Sequence, residues 1–181
     1  VHLMASIGSF EQLIKTDYCG ARVGKYAAST VLRHLRVGRL DLSDRTVRDA
    51  LLPFLHRAMC YARTAEAIVE TLRPQLVLSV DTGYSPRGEL FDLCLAAGID
   101  TITWNAAHRN NQLMLKRYSR GNREVHPASL SASTWGELQA KPWTEADRDL
   151  LRRELVGSYT SGEWYSEVGT QFHTKLEDPA E

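Results

Sequence analysis

The stretch from Leu76 to Asn105 constrains the fold most, because its hydrophobic pattern changes from segment to segment. Residues 76–80 are a short apolar run of the kind that forms a buried parallel strand. Residues 81–88 break this run with two glycines, a proline and several polar side chains. Residues 89–97 then repeat apolar side chains at helical spacing, and residues 99–104 are a second strand candidate. The pattern predicts one β–α–β unit.

The segment from Asp44 to Leu72 places apolar residues three or four positions apart, which predicts a long helix with one buried stripe. We expect Ser43 to cap this helix, Pro53 to bend it and Arg73 to follow its end. The stripe consists of Val47, Leu51, Leu55, Ala62 and Val69. The other expected elements are helices over 10–14, 25–36, 106–118 and 144–157, a C-cap at Gly98, and a short strand within 1–7.

These elements predict an α/β fold, a helix-rich Rossmann-like unit with few parallel strands. A two-stranded sheet is not stable alone. Either helices dominate the core, or further strands come from sequence outside this chain, which would then be an incomplete part of a two-domain protein. Residues 1–158 are assigned to the α/β domain. Residues 159–181 are acidic and aromatic, and they are either a tail or the start of an interdomain segment.

Composition narrows the class of protein. The chain has 22 basic and 22 acidic side chains, a balance that favours neither nucleic acid nor a membrane surface as a partner. No apolar run approaches 18 residues, so no transmembrane segment is expected. Three cysteines without CxxC spacing predict reduced, mostly buried thiols in a cytoplasmic protein. The histidines are too scattered for a metal site.

Polar side chains follow both strands of the predicted unit. They are Asp81, Tyr84, Ser85 and Arg87 after the first strand, and His108 and Arg109 after the second. The carboxyl ends of neighbouring parallel strands lie at one sheet edge, where α/β proteins bind ligands. We therefore expect one polar cleft that binds an anionic or sugar ligand. The alternative is that residues 81–88 are an ordinary turn and that His108 and Arg109 begin a solvated helix.

Two further patterns bear on chemistry. Lys116, Arg117, Arg120 and Arg123 form either a phosphate-binding strip or a solvated face. Walker and dinucleotide glycine motifs are absent from the sequence, so no cofactor is expected to bind this chain alone.

Three segments resemble a known family. Residues 72–78 (LRPQLVL), 84–88 (YSPRG) and 97–101 (AGIDT) are similar to the N-terminal domain of bacterial surface or capsular polysaccharide biosynthesis proteins. Those proteins are two-domain glycosyltransferases of the GT-B type. Residues 159–164 (YTSGEW) also resemble the helical stretch that precedes the second domain there.

The resemblance implies an acceptor-binding N-terminal domain of a glycosyltransferase in surface polysaccharide biosynthesis. The acceptor would be a carbohydrate or a lipid-linked sugar. The nucleotide-sugar donor is expected only with a second domain, so this chain alone is expected to be inactive, and the catalytic residues stay unassigned. The alternative is a non-catalytic α/β binding or scaffold module that packs on a protein partner through its long helix.

Overall fold

The computed structural model describes residues 6–107 and 112–160, with side chains up to residue 157. This part of the chain is a helix-rich α/β fold with a mixed three-stranded sheet, which confirms the predicted class. The helices are α1 (Phe10–Ile14), α2 (Val23–Leu35), α3 (Arg45–Leu72), α4 (Arg87–Ala96), α5 (Ala132–Ala140) and α6 (Glu145–Thr160). The strands are β1 (Leu76–Val80), β2 (Asp100–Ala106) and β3 (Leu113–Tyr118), in the order β1-β2-β3.

The described residues fall into two compact units. One contains residues 6–105 and 115–127, and it holds the first four helices and most of the sheet. The other contains the described residues of 106–114 and 128–160, including α5 and α6. Within this second unit, Thr144 and Asp147 form a capping box at the start of α6. The Asp147 carboxylate accepts from the Thr144 backbone N–H at 3.0 Å, and the Thr144 hydroxyl accepts from the Asp147 N–H at 3.2 Å.

The predicted β–α–β unit is confirmed. β1 and β2 are parallel neighbours, with Leu76 opposite Asp100 and Val80 opposite Trp104. α4 connects the two strands, and Gly98 follows it with φ +73°, a left-handed conformation that glycine adopts without a side-chain clash. The unit therefore places the turn between β1 and α4 at the carboxyl edge of a parallel pair.

The long helix α3 buries the expected stripe. Leu51, Leu55 and Ala62 are buried, while Val47 and Val69 are half-buried. The cap is one residue later than predicted: Asp44, rather than Ser43, accepts from the Thr46 backbone N–H, at 2.7 Å. The Ser43 hydroxyl instead donates to Asp41. Asp44 is the better cap because its carboxylate is also attracted to the positive end of the helix dipole.

The main core lies between α1, α2 and α3. α1 and α2 approach so closely that a Cβ on Gly24 would lie 1.7 Å from the Leu13 carbonyl oxygen. α3 contacts both α2 and α4. The helix of the β–α–β unit therefore packs on the same helices that form the main core. A smaller cluster joins α4 to the sheet, where the rings of Phe91 and Tyr118 pack edge to face at 5.1 Å.

The helix predicted over residues 106–118 is wrong, because β2 continues to Ala106 and residues 113–118 form β3. Leu113, Met114 and Tyr118 have helical spacing, but the exposure of the segment alternates as in a strand: Leu113 and Leu115 are more exposed than Met114 between them. Tyr118 is buried against α4, whereas Arg117 is exposed and pairs with Asp100 of β2. Hydrogen bonding to β2 and burial of Tyr118 decide between the two periods.

The predictions for the cysteines and for the N-terminal strand have different outcomes. The three cysteines are free, but only Cys94 is buried; Cys19 is half-buried and Cys60 is exposed. The expected strand within residues 1–7 lies mostly outside the described residues, and Ser6 and Ile7 are not in a strand.

Candidate functional site

The turn between β1 and α4 is held in shape by its own hydrogen bonds. Asp81 has φ +54°, and its Oδ1 accepts from the Gly83 backbone N–H at 2.9 Å. The Gly88 N–H donates to the Tyr84 carbonyl at 2.9 Å. Aspartate tolerates the left-handed region because its short side chain bonds to the backbone two residues on. The polar side chains of this turn are half-buried and open to solvent in part.

The half-buried Ser85 and the buried Glu89 form a polar pair at the back of this turn. The Ser85 hydroxyl donates to Oε1 of Glu89. The Glu89 side chain is fully buried, and its Oε2 has no hydrogen-bond partner among the described residues. Burial raises the pKa of Glu89, with a further push from Asp92, while the Ser85 hydrogen bond works against the shift. A buried carboxylate oxygen without a partner is costly, and this cost shifts Glu89 towards its protonated form.

An ion-pair network fixes the helix that carries Glu89. The Asp92 carboxylate, which is fully buried, accepts from the Arg22 guanidinium at 2.8 and 2.9 Å and from the Arg22 backbone N–H at 3.1 Å. Arg22 also donates to the Tyr26 hydroxyl at 3.1 Å. Burial and the neighbouring Asp92 both raise the pKa of Tyr26. These contacts bind the start of α2 to α4.

Tyr26 and Arg33 extend this contact to the turn. A Cβ on Gly88 would lie 2.2–2.6 Å from carbons of the Tyr26 ring, so the ring lies directly on the α4 backbone. The Arg33 guanidinium carbon is 5.4 Å from the centre of the Tyr84 ring. α2 therefore supports both ends of the segment from Tyr84 to Gly88.

The structure brings together part of the predicted site. Asp81, Tyr84 and Ser85 share one turn, and Arg87 is exposed in the first turn of α4. His108 and Arg109 lie outside the described residues, so the predicted cleft between the two segments stays a prediction. Two grooves in the described part of the chain are lined by other residues, around α1, α2 and residues 38–43.

The basic strip is engaged in contacts within the chain. Arg117 pairs with Asp100 at 3.0 Å, at the sheet edge opposite the Asp81 turn. Arg120 donates to the carbonyls of Leu95 and Ala96 at the end of α4. The other two cations are also engaged: Lys116 donates to the His126 carbonyl, and Arg123 lies against Glu124. These contacts favour a structural role over a phosphate-binding strip.

Sequence reasoning missed Glu89, Asp92 and Trp104. The two acids lie three residues apart, among apolar residues of a short helix. Two acids at positions where the helical pattern expects buried side chains could have indicated a buried polar site. Trp104 is opposite Val80, the residue before Asp81, and its side chain is 39% exposed. An exposed tryptophan beside a polar turn is a surface suited to the apolar face of a sugar.

Comparisons with known proteins add no family to these observations: no protein-family model, curated protein or solved structure matches the chain. The described residues contain no cluster of histidine, cysteine, aspartate and glutamate that could hold a metal ion. Within the same residues, no helix combines the length and the hydropathy needed to span a membrane.

Proposed function

We propose that this chain is the acceptor-side α/β domain of a glycosyltransferase in surface polysaccharide assembly. The turn between β1 and α4 binds hydroxyl groups of the carbohydrate acceptor. The observation that carries the proposal is the partly exposed polar turn of Asp81, Tyr84 and Ser85, backed by the buried Glu89, at the carboxyl edge of the parallel strands. The resemblance of segments within residues 72–101 to such domains is the reason for proposing a carbohydrate or a lipid-linked sugar as the acceptor.

The chemistry of the turn suits a neutral polyol. The carboxylate of Asp81 and the hydroxyl oxygen of Ser85 lie at the partly exposed turn, where each can accept from a sugar hydroxyl. Trp104 adds an apolar face next to them. Hydroxyl-rich ligands are recognised by such convergent polar groups beside an aromatic ring. Catalysis also needs a positioned donor, which we assign to a second domain.

Sugar binding tests this proposal directly. Methyl glycosides of glucose, galactose and N-acetylglucosamine serve as probes, and amide shifts in an NMR titration locate the site. We expect shifts at residues 81–89 and at the Trp104 indole. Ser85→Ala should weaken binding by roughly three- to tenfold, as expected for loss of one hydrogen bond.

Ser119→Ala is the matched control, because Ser119 follows β3 beside Arg117, at the opposite sheet edge. Equal weakening by both variants, or shifts confined to other segments, would contradict the proposal. Incubation with UDP-glucose and the best-bound glycoside should give no transfer by the isolated chain, and measurable transfer would overturn the two-domain assignment.

The alternative function, a scaffold module that packs through its long helix, has less support. α3 uses its apolar stripe inside this chain, with Leu51, Leu55 and Ala58 all buried. A partner would meet mainly the polar outer side of the helix.

A further inference from the structure

A groove between α1 and α2, which does not include the Asp81 turn, is lined in part by basic side chains. Its volume is about 370 Å³. Phe10, Ile14 and Leu32 give it an apolar lining. Lys15, Arg22, Lys25, Ser29 and Glu124 give it a polar one. The groove therefore combines an apolar surface with an excess of positive charge.

One carboxylate from another part of the chain meets these cations. Glu124, on the loop after β3, accepts from Lys25 Nζ at 2.9 Å, from Arg123 Nε at 3.2 Å and from the Arg22 guanidinium. Burial would raise its pKa, but the Lys25 hydrogen bond and the nearby cations hold the pKa of Glu124 below its ordinary value. Its side chain is nevertheless 60% exposed, so an anion from solvent can compete for the same donors.

Arg22 is held in place independently of Glu124. Its Nε and Nη2 bond to the buried Asp92 at 2.9 and 2.8 Å, while Nη1 faces Glu124. If the Glu124 side chain moved away, Asp92 would still hold the Arg22 guanidinium in place. Its Nη1 would then be a fixed donor, with Lys25 and Arg123 beside it. A preorganised donor saves the entropy that a ligand would otherwise spend on ordering it.

We propose that this groove binds a phosphate monoester with an apolar body, and that the phosphate takes the place of the Glu124 carboxylate. Three cations around one position match the three oxygens and the double charge of a phosphate better than a single carboxylate does. Phe10, Ile14 and Leu32 supply contact area for the apolar body. Asp81, Tyr84, Ser85 and Arg87, the described side chains of the predicted site, do not line this groove, so it is separate from the turn in the proposed acceptor site.

Phenyl phosphate is the probe, with inorganic phosphate as the probe that lacks the apolar body. NMR titration of the whole chain should show amide shifts at Lys25, Ser29 and Glu124. Glu124→Gln removes the competing charge from an exposed position and should tighten phenyl phosphate binding roughly three- to fivefold. Lys25→Gln should weaken it by a similar factor. Inorganic phosphate should bind more weakly than phenyl phosphate.

Glu70→Gln is the matched control, since Glu70 is exposed on α3 and the change in net charge is the same. Equal tightening by Glu70→Gln and Glu124→Gln would overturn the proposal, because it would reflect net charge alone. Absence of shifts in Glu124→Gln at about 10 mM phenyl phosphate would also overturn it. So would shifts confined to residues 81–89, which would place the anion at the turn instead.

Discussion

Arg22 and Asp92 form a two-point ion pair, with Nη2 to Oδ1 at 2.8 Å and Nε to Oδ2 at 2.9 Å, between helices that are far apart in sequence. The Asp92 side chain is fully buried and that of Arg22 is 13% exposed. Burial alone would lower the pKa of Arg22, but the hydrogen bond to Asp92 and the electrostatic effects of Tyr26, Asp92 and Glu124 together raise it. The pair fixes α2 against α4 and so supports the turn at the edge of the sheet.

Asp92→Asn should therefore destabilise the fold strongly. It removes the buried counter-ion of Arg22 and leaves only the exposed Glu124 carboxylate; loss of one partner of a buried pair typically costs about 3–5 kcal/mol. Asp100→Asn is the matched control, because Asp100 pairs with Arg117 at an exposed position and should lose at most about 1 kcal/mol. Urea unfolding followed by circular dichroism measures both. Similar losses in the two variants would mean that the Arg22–Asp92 pair is open to solvent.

Leu55→Ala tests the buried stripe of α3. Leu55 is 2% exposed within the main core, so the free energy of unfolding should fall by about 2–5 kcal/mol. Leu52→Ala makes the same change on the same helix at a position that is 37% exposed, and it should cost clearly less. Chemical denaturation gives both values. A loss below about 0.5 kcal/mol for Leu55→Ala would show that the stripe is not core.

Gly88→Ala tests the contact between Tyr26 and the start of α4. The added methyl would lie within 2.6 Å of the ring, and overpacking of this kind costs about 1–3 kcal/mol. Gly38→Ala is the control, since nothing lies within 4 Å of its added Cβ. Thermal unfolding compares them. A neutral Gly88→Ala would mean that the ring moves aside without cost.

The raised pKa of Glu89 predicts the direction in which the stability of the fold changes with pH. Its folded-state pKa is raised above the ordinary value of 4.5, so the folded state binds the proton more tightly than the unfolded state. The stability that this proton contributes is fully present below pH 4.5 and is lost as the pH rises through the folded pKa. Glu89→Gln, which is neutral at every pH, should gain stability relative to the unchanged chain as the pH rises.

Urea midpoints of both proteins between about pH 4 and pH 8 measure this difference. The two curves should converge at the acidic end and separate towards neutral pH. Curves that separate in the opposite direction would mean that Glu89 is ionised and paired in the folded protein.

The elements predicted correctly from the sequence are those with a single strong period. β1, α4 and β2 follow one another with clear breaks at residues 81–88 and at Gly98. The α3 stripe has the same clarity. Residues 113–118 fit both a strand and a helix, and only the neighbouring β2 decides between them. The local sequence does not predict this pairing, because it depends on tertiary structure.

The position of the turn after β1 was predictable, but the contacts around it were not. Asp81, Tyr84 and Ser85 lie on the turn at the carboxyl edge, as the topology of a β–α–β unit requires. Asp92 is paired with Arg22, which lies 70 positions earlier in the chain. Glu124 meets Lys25 across 99 positions. Pairings over such distances leave no spacing signal in one sequence.

The end of α4 depends on a residue that is made later. Arg120 donates to the carbonyls of Leu95 and Ala96, 25 and 24 positions earlier in the chain. As the chain leaves the ribosome, α4 therefore has no side chain on these carbonyls until β3 and Arg120 have followed. α1, α2 and α3 are complete by then, and domains generally fold from the N-terminus during synthesis. We expect these three helices to form the platform on which the nascent β–α–β unit closes.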